Sequence, residues 1–193
     1  MEKTKSGIII PKSDSLKIKG KVKATVARMK KPQHFRLYEE ILRRIKMKLP
    51  FIDLVRELNY LCTIRIFETP NTVCTVGRSM IADNLTNSGP DHTMLVNYTA
   101  VGDDSTAPVI GDTALGNETY RKTPPASLTN SNNIAYITAF YTAAEAIDTH
   151  KECGLFSDGS GVADSGVLLI HASIDISKTG VDTLTVDHTL TIS

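Results

Sequence analysis

Tryptophan is absent from this 193-residue chain, and aromatic residues make up only 6% of it. The core must therefore be built from Val, Ile, Leu and Ala, and a deep aromatic binding cage is not expected. Long apolar runs are missing too, because the isoleucine triplet at residues 8–10 is far shorter than the roughly 20 residues of a membrane span. We therefore expect no membrane span and no secretory signal, and a chain that folds inside the cell.

Cysteine is scarce as well. The chain has three, Cys62, Cys74 and Cys153, so at least one lacks a disulfide partner within the chain. None has the C-x-x-C spacing of a redox or zinc motif. This pattern predicts small, buried thiols in a protein that assembles in a reducing compartment.

No sequence motif nominates a catalytic centre. The five histidines have neither metal-ligand spacing nor a nearby cysteine pair, and there is no G-x-S-x-G elbow or phosphate-binding glycine loop. Glu145 and Glu152 could form an acid–base pair, but both fit a turn that leads into a buried strand. We expect a protein that is not an enzyme, with no catalytic residue and no cofactor. The histidines are His34, His92, His150, His171 and His188.

Two acidic loops are the candidates for a metal site. One contains Asp103, Asp104 and Asp112, and the other, residues 158–164, resembles a fragment of a calcium loop. Neither supplies the bidentate Glu that often closes a calcium site, and Asp and Gly are favoured in turns for conformational reasons alone. We interpret both segments as turns and expect no bound metal, with calcium as the alternative.

Charge is divided unequally along the chain, although the net charge is only +1. Residues 1–85 contain 18 Lys and Arg against 8 Asp and Glu, a formal charge of +10, whereas residues 86–193 contain 4 against 13, a charge of −9. This asymmetry predicts two surfaces with different partners. Nucleic-acid binding is not favoured, because acidic residues are mixed among the cations and no aromatic platform interleaves them.

The second half of the chain has the pattern of an antiparallel β-domain. Apolar and polar residues alternate with period two, most clearly in residues 183–193, and Gly, Asp, Asn, Ser and Pro separate the alternating segments. Residues 86–193 therefore predict a mainly β fold, a β-sandwich of Ig-like or jelly-roll-like type, with a barrel as the alternative. The expected strands are residues 94–101, 117–123, 134–142, 150–156, 166–176 and 182–192.

The first half differs in organisation. Residues 1–15 predict an extended basic arm, and residues 16–85 predict strands that flank an inserted pair of helices at about 32–61, packed on the β-sandwich. In residues 16–26 lysines alternate with apolar residues, which indicates either an edge strand protected by charge or an electrostatic contact strip. The expected partner-contact residues are Lys3, Lys5, Lys12, Lys17, Lys19, Lys21 and Lys23.

From residue 73 onward, over about two-thirds of the chain, six segments follow one another as a series of turns and strands. They are residues 73–85, 97–108, 112–122, 152–156, 166–170 and 178–186. This series resembles that of small structural proteins of tailed bacteriophages. The similarity lies in turns and strands rather than in a reactive motif, and the helical insertion, Asp103, Asp104 and His150 depart from the pattern.

The resemblance implies a virion component that is displayed on the capsid or tail, assembles in the host cytoplasm and forms a homo-oligomer, with a trimer among the open states. Capsid decoration or a head fibre is favoured over a tail-fibre or baseplate piece. The expected partners are other virion proteins, not nucleic acid or membrane. A host-glycan-binding module is the alternative, for which Tyr98, Tyr120, Tyr136, Tyr141 and Phe156 would supply the aromatic contacts.

Overall fold

The computed structural model describes residues 17–29, 62–87, 89–123 and 126–192. Within these residues the chain is mainly β, with two five-stranded antiparallel sheets and one helix. None of the described helical residues forms a segment long and apolar enough to span a bilayer. The predicted arm at residues 1–15, with Lys3, Lys5 and Lys12, and the predicted helical insertion at about 32–61 lie outside the described residues.

Sheet one contains the lysine-rich strand and the C-terminal strand. Its strands lie side by side in the order β2-β1-β10-β7-β6. Because β1 and β2 are antiparallel neighbours, residues 30–61 connect the adjoining ends of two paired strands. The strands are β1 (Ile18–Met29), β2 (Cys62–Pro70), β6 (Ser127–Ser131), β7 (Ile134–Tyr141) and β10 (Asp182–Ile192).

Sheet two faces sheet one, and its strands lie in the order β3-β9-β8-β4-β5. The helix α1 (Thr75–Thr86) follows β3 and packs against β9. The strands are β3 (Thr72–Val73), β4 (Val96–Gly102), β5 (Glu118–Lys122), β8 (Thr149–Ser157) and β9 (Val167–Ser177).

The core lies between the two sheets in a β-sandwich-like arrangement. The largest buried cluster combines Val22 and Val186 of sheet one with Cys153 and Ile174 of sheet two. The predicted alternation of β10 is confirmed, because Leu184, Val186, His188 and Leu190 are buried while the intervening threonines and Asp187 are not. Each fully buried Leu, Ile or Val side chain contributes roughly 1.5–3 kcal/mol, so these alternating positions hold the sheets together.

The interpretation of β1 as a charge-protected edge strand is wrong. β1 is hydrogen-bonded to β10 on one side and to β2 on the other, so it lies inside sheet one and β2 forms the edge. From Lys21 onward the lysines therefore do not lie on an edge strand, because the pairing of β1 with β2 begins at Lys21. Alternation shows which face of a strand is solvated, but it carries no information about the number of neighbours.

The strand positions in the second half are confirmed to within two residues at each end for all six expected strands. This half of the chain contains one further strand, β6, which the sequence did not predict. Residues 130–131 belong to this strand. Its sequence Ser-Leu-Thr-Asn-Ser has one apolar residue, so it gives almost no alternation signal. A two-residue turn with Asn132 at φ 51° joins β6 to β7, a conformation that Asn adopts readily.

Candidate interaction surface

Four lysines lie on the outer face of sheet one, and we name Lys17, Lys19, Lys21 and Lys23 the lysine strip. Side chains on successive strand positions point to opposite faces, so this odd-numbered set shares one face while Val22, Ala24 and Val26 enter the core. Lys17, Lys19 and Lys21 are exposed, whereas Lys23 is half-buried. The predicted strip therefore exists as a contiguous row on the protein surface.

The neighbours of the strip are mostly uncharged. Lys19 and Lys21 lie opposite Thr191 and Thr189 of β10, while Lys23 alone lies opposite a carboxylate on each side, Asp187 and Glu68. Among the described residues, no carboxylate is within ion-pair distance of any ammonium group of the strip. The positive potential is consequently concentrated at the Lys17 end of the row.

At that end the strip borders a cleft of about 400 Å³ between the start of β1 and helix α1. Its apolar lining comes from Ile18, Ile81, Ala82 and Leu85, of which Leu85 is 72% exposed. Its cations are Lys17, Lys19 and Arg78, and no acidic residue from the described part of the chain lines it. We name this feature the basic groove.

Helix α1 forms one wall of the basic groove because Gly77 lets it approach β9 closely. A side-chain carbon at Gly77 would lie 2.8 Å from Cα of Leu169, which is too short for an ordinary contact. Met80, one turn later, is buried in the same cluster as Leu169. This packing leaves Arg78, Ala82 and Leu85 on the exposed side of the helix.

The sequence predicted the four strand lysines but not Arg78 or Leu85. Both lie on α1, which spans Thr75–Thr86. The spacing of Arg78, Ala82 and Leu85 at four and three residues was the available signal, since such positions share a helix face. That this face borders β1 depends on a contact between distant parts of the chain, which the spacing does not reveal.

A second cluster of charged groups is buried against sheet two. The His171 ring lies between two carboxylates, with Nδ1 2.7 Å from Asp112 Oδ2 and Nε2 2.8 Å from Glu152 Oε2. Glu152 also accepts hydrogen bonds from the backbone N–H groups of Gly116 and Asn117. The network fastens the long loop between β4 and β5 to strands β8 and β9.

The pKa values of the network follow from these contacts. Burial alone would lower the pKa of His171, but the hydrogen bonds to Glu152 and Asp112 outweigh burial and raise it. Burial would raise the pKa of Glu152, but His171 and the two backbone N–H groups lower it. The His171 ring can donate a hydrogen bond from both nitrogens only when it is protonated. The imidazolium is therefore held between the carboxylates of Glu152 and Asp112.

The other acidic candidates are satisfied locally. Lys122 Nζ donates a hydrogen bond of 2.6 Å to Glu145, whereas Glu152 contacts His171. The two carboxylates therefore have different partners and do not form the acid–base pair considered from the sequence. Asp103 accepts a hydrogen bond from the side chain of Asn117, and Asp158 accepts two from Thr93. Within the described ranges, no three His, Cys, Asp or Glu side chains are arranged to hold a metal ion.

The buried thiols and two of the buried histidines belong to the core. Cys74 and Cys153 are free thiols, and burial raises the pKa of both, that of Cys74 to about 11. Burial lowers the pKa of His188 to about 3 and that of His150 as well, so both rings are neutral at pH 7. These positions match the prediction of small, buried thiols for the two cysteines whose surroundings the structure describes.

The aromatic residues named for a sugar-binding platform do not lie together on the surface. Tyr141 and Phe156 are fully buried, and the guanidinium of Arg121 covers the Tyr98 ring at 5.2 Å from its centroid. Tyr120 packs edge-on against Tyr141, and Tyr136 is 39% exposed. Their main contribution is therefore to packing between strands.

The chain matches no protein-family model, and no curated protein or solved structure matches it.

Proposed function

We propose that the chain is a non-enzymatic structural protein of a tailed-phage virion, which decorates or projects from the capsid through protein–protein contacts. The observation that carries the proposal is the row of exposed lysines that continues into the basic groove. The partner is an acidic surface of another virion protein. Tail-fibre or baseplate attachment through the same surface is the alternative position.

Charge alone is too weak to hold such a partner. An exposed ion pair contributes about 0.2–1 kcal/mol, so the exposed cations of the groove together supply only a few kcal/mol and are screened by salt. Burying Leu85 and the exposed part of Ile81 adds roughly 1.5–3 kcal/mol per fully covered side chain. The groove therefore suits an acidic segment that also inserts an apolar side chain.

The finer points of the proposal come from the strand pattern, from the basic N-terminal residues and from the sequence resemblance. The body is an Ig-like or jelly-roll-like sandwich with an extended N-terminal arm, and residues 1–15 add Lys3, Lys5 and Lys12 to the basic contact surface. The protein acts as a homo-oligomer in the assembled virion. Lys17, Lys19 and Lys21 serve adhesion between subunits, because they are exposed and have no carboxylate opposite them among the described strands, so they are free to meet a partner's carboxylates.

The experiment compares incorporation of three versions of the chain into phage particles. These are the wild type, the groove variant Lys17→Glu/Lys19→Glu/Arg78→Glu, and the control Lys151→Glu, which reverses an exposed charge on sheet two. Particles purified by density centrifugation are analysed by mass spectrometry. We expect the wild type and the control in the particles, and roughly tenfold less of the groove variant.

Two outcomes contradict different parts of the proposal. Absence of the wild-type chain from purified particles would show that it is not a virion component. Equal incorporation of the wild type and the groove variant would show that it is a virion component held by another surface. Imaging of labelled particles distinguishes the capsid from the tail, and a label found only at the tail would support the alternative position.

A further inference from the structure

Strand β6 ends sheet one on the side opposite β2, and of the described strands it is paired with β7 alone. All five of its residues are exposed. In an edge strand, half of the backbone N–H and C=O groups point away from the sheet. Among the described residues, none pairs with this free side of β6. The strand thus presents donors and acceptors to which another strand can bond.

The other sheet edges carry features that discourage pairing. β2 contains Arg65 and Glu68 and ends at Pro70, and β5 contains Glu118 and Lys122. β3, the remaining edge, has only two residues. Charged residues, proline and short length are the common means by which proteins keep an edge from pairing with another chain. β6, Ser-Leu-Thr-Asn-Ser, has none of the three within its described residues.

An apolar cleft of about 300 Å³ opens beside β6, between the ends of the two sheets. Leu128 lies opposite buried Ile137 and on the same face, yet 42% of it is exposed. Met94 and Leu95 on the other side of the cleft are 46% and 65% exposed. Exposed apolar side chains grouped beside an open strand edge are typical of an interaction surface.

We propose that β6 pairs antiparallel with β6 of a second copy of this chain, which joins two copies of sheet one into one continuous sheet. A two-fold axis at Thr129 would place Thr129 of the two copies opposite each other, and Leu128 opposite Asn130 of the second copy. Every position of the strand then has a partner, so the edge is complementary to itself.

The chemistry of the edge favours a second copy over a charged partner. β6 has no charge of either sign, so two copies meet without repulsion, whereas an acidic or basic segment would gain no ion pair there. Five residues span only about 17 Å, less than a specific interface of roughly 800 Å² per partner needs. The contact must therefore include Leu128, Met94 and Leu95, and we expect a dissociation constant on the order of 10–100 μM.

This inference rests on the proposed function for its use in a virion, where it specifies the self-association. It is tested on the purified chain alone, so its failure and that of the proposed function are distinguishable. Sedimentation equilibrium measures the dimerisation of the wild type, Thr129→Lys, Thr129→Glu and an equimolar mixture of these two variants. The matched controls are Thr63→Lys and Thr63→Glu, which alter an exposed threonine on β2, the opposite edge of the same sheet.

Each Thr129 variant should dimerise roughly tenfold more weakly than the wild type, because like charges lie opposite each other. The mixture should regain wild-type affinity, since Lys then faces Glu, and the Thr63 variants should behave as the wild type. The rescue also shows that both variants are folded. A wild-type chain that stays monomeric at about 1 mM, or Thr129 variants that dimerise as well as the wild type, would overturn the proposal.

Discussion

The charged side chains on the outer face of sheet one and those on the loop side of sheet two differ in their burial and in their pairing. On sheet one, the exposed lysines of the strip lie beside threonines and have no described carboxylate in contact. On sheet two, Glu152 and His171 are buried, and each of their polar atoms has a close partner. One set of charges is open to water and the other is enclosed.

This contrast separates charges that stabilise the fold from charges that are available to bind a partner. An exposed ammonium group is solvated by water, so the absence of an ion-pair partner costs the fold almost no free energy. The group therefore stays available to bind a carboxylate of another protein. A buried carboxylate or imidazolium must be paired within the fold, because desolvation of an unpaired charge costs several kcal/mol. Removing a charge should therefore weaken binding at the lysine strip but destabilise the fold at the buried network.

The largest effect is expected for Glu152→Ala. The substitution leaves two backbone N–H groups and the His171 imidazolium without their acceptor, and we expect it to lower the free energy of unfolding by about 4 kcal/mol. Urea denaturation at neutral pH measures the change. Lys19→Ala on the lysine strip is the matched control, with an expected change within about 0.5 kcal/mol. A loss as small as that of the control would show that the network contributes little to stability.

An intermediate effect on stability is expected for a substitution of Asp182, a buried carboxylate of sheet one that lies opposite Arg28 near the C-terminal end of β1. Asp182 is fully buried and accepts hydrogen bonds from Arg28 Nε at 2.8 Å and from Thr179. Burial would raise the pKa of Asp182, but Arg28 and Thr179 lower it to about 2. Its contribution to stability is therefore present above the unfolded pKa of 3.8 and is lost as the pH falls through the folded value.

We expect Asp182→Asn to lower the free energy of unfolding by about 3 kcal/mol at neutral pH, and by much less near pH ~2. Urea denaturation across this pH range makes the comparison. Asp175→Asn, at an exposed carboxylate that pairs with Lys151, is the control and should cost less than about 1 kcal/mol. An equal loss at both pH values would show that the carboxylate charge is not responsible.

The smallest of the three effects is expected for His171→Gln, and it has the opposite pH dependence. The raised pKa of His171 means that its charge stabilises the fold fully below the unfolded value of 6.5, and that this stabilisation is lost as the pH rises through the folded value. We expect a cost of about 2 kcal/mol near pH ~6, which shrinks as the pH rises. His92→Gln, at a half-exposed histidine, is the control. A constant cost across the range would point to packing instead of charge.

Much of the fold could be predicted from local pattern. β10 stands out because several apolar residues alternate with polar ones, so that only one register places them in the core. β6 could not be predicted, since it is a strand only through its pairing with β7 and has no buried residue of its own. The position of β1 inside the sheet also depends on β2, whose partner residues are about 40 positions away in the sequence.

The candidate sites show the same limit. The lysine strip was predicted because its residues are two positions apart on one strand, so a local period defines their common face. Arg78 joins them only through the packing of α1 on β9, which the close approach at Gly77 permits. His171 is 19 residues from Glu152 and 59 residues from Asp112 along the sequence, and no spacing rule brings such distant residues together.

The local pattern of residues is enough to predict that the protein is mainly β, where most strands begin and end, and that positive charge collects in the first half. These properties depend on period and composition, which act over a few neighbouring residues. Three further features arise only on folding: which strands form the sheet edges, the continuation of the lysine strip into the basic groove, and the position of His171 between two carboxylates. Those outcomes depend on which distant segments pack together, because pairing and burial are properties of the folded chain as a whole.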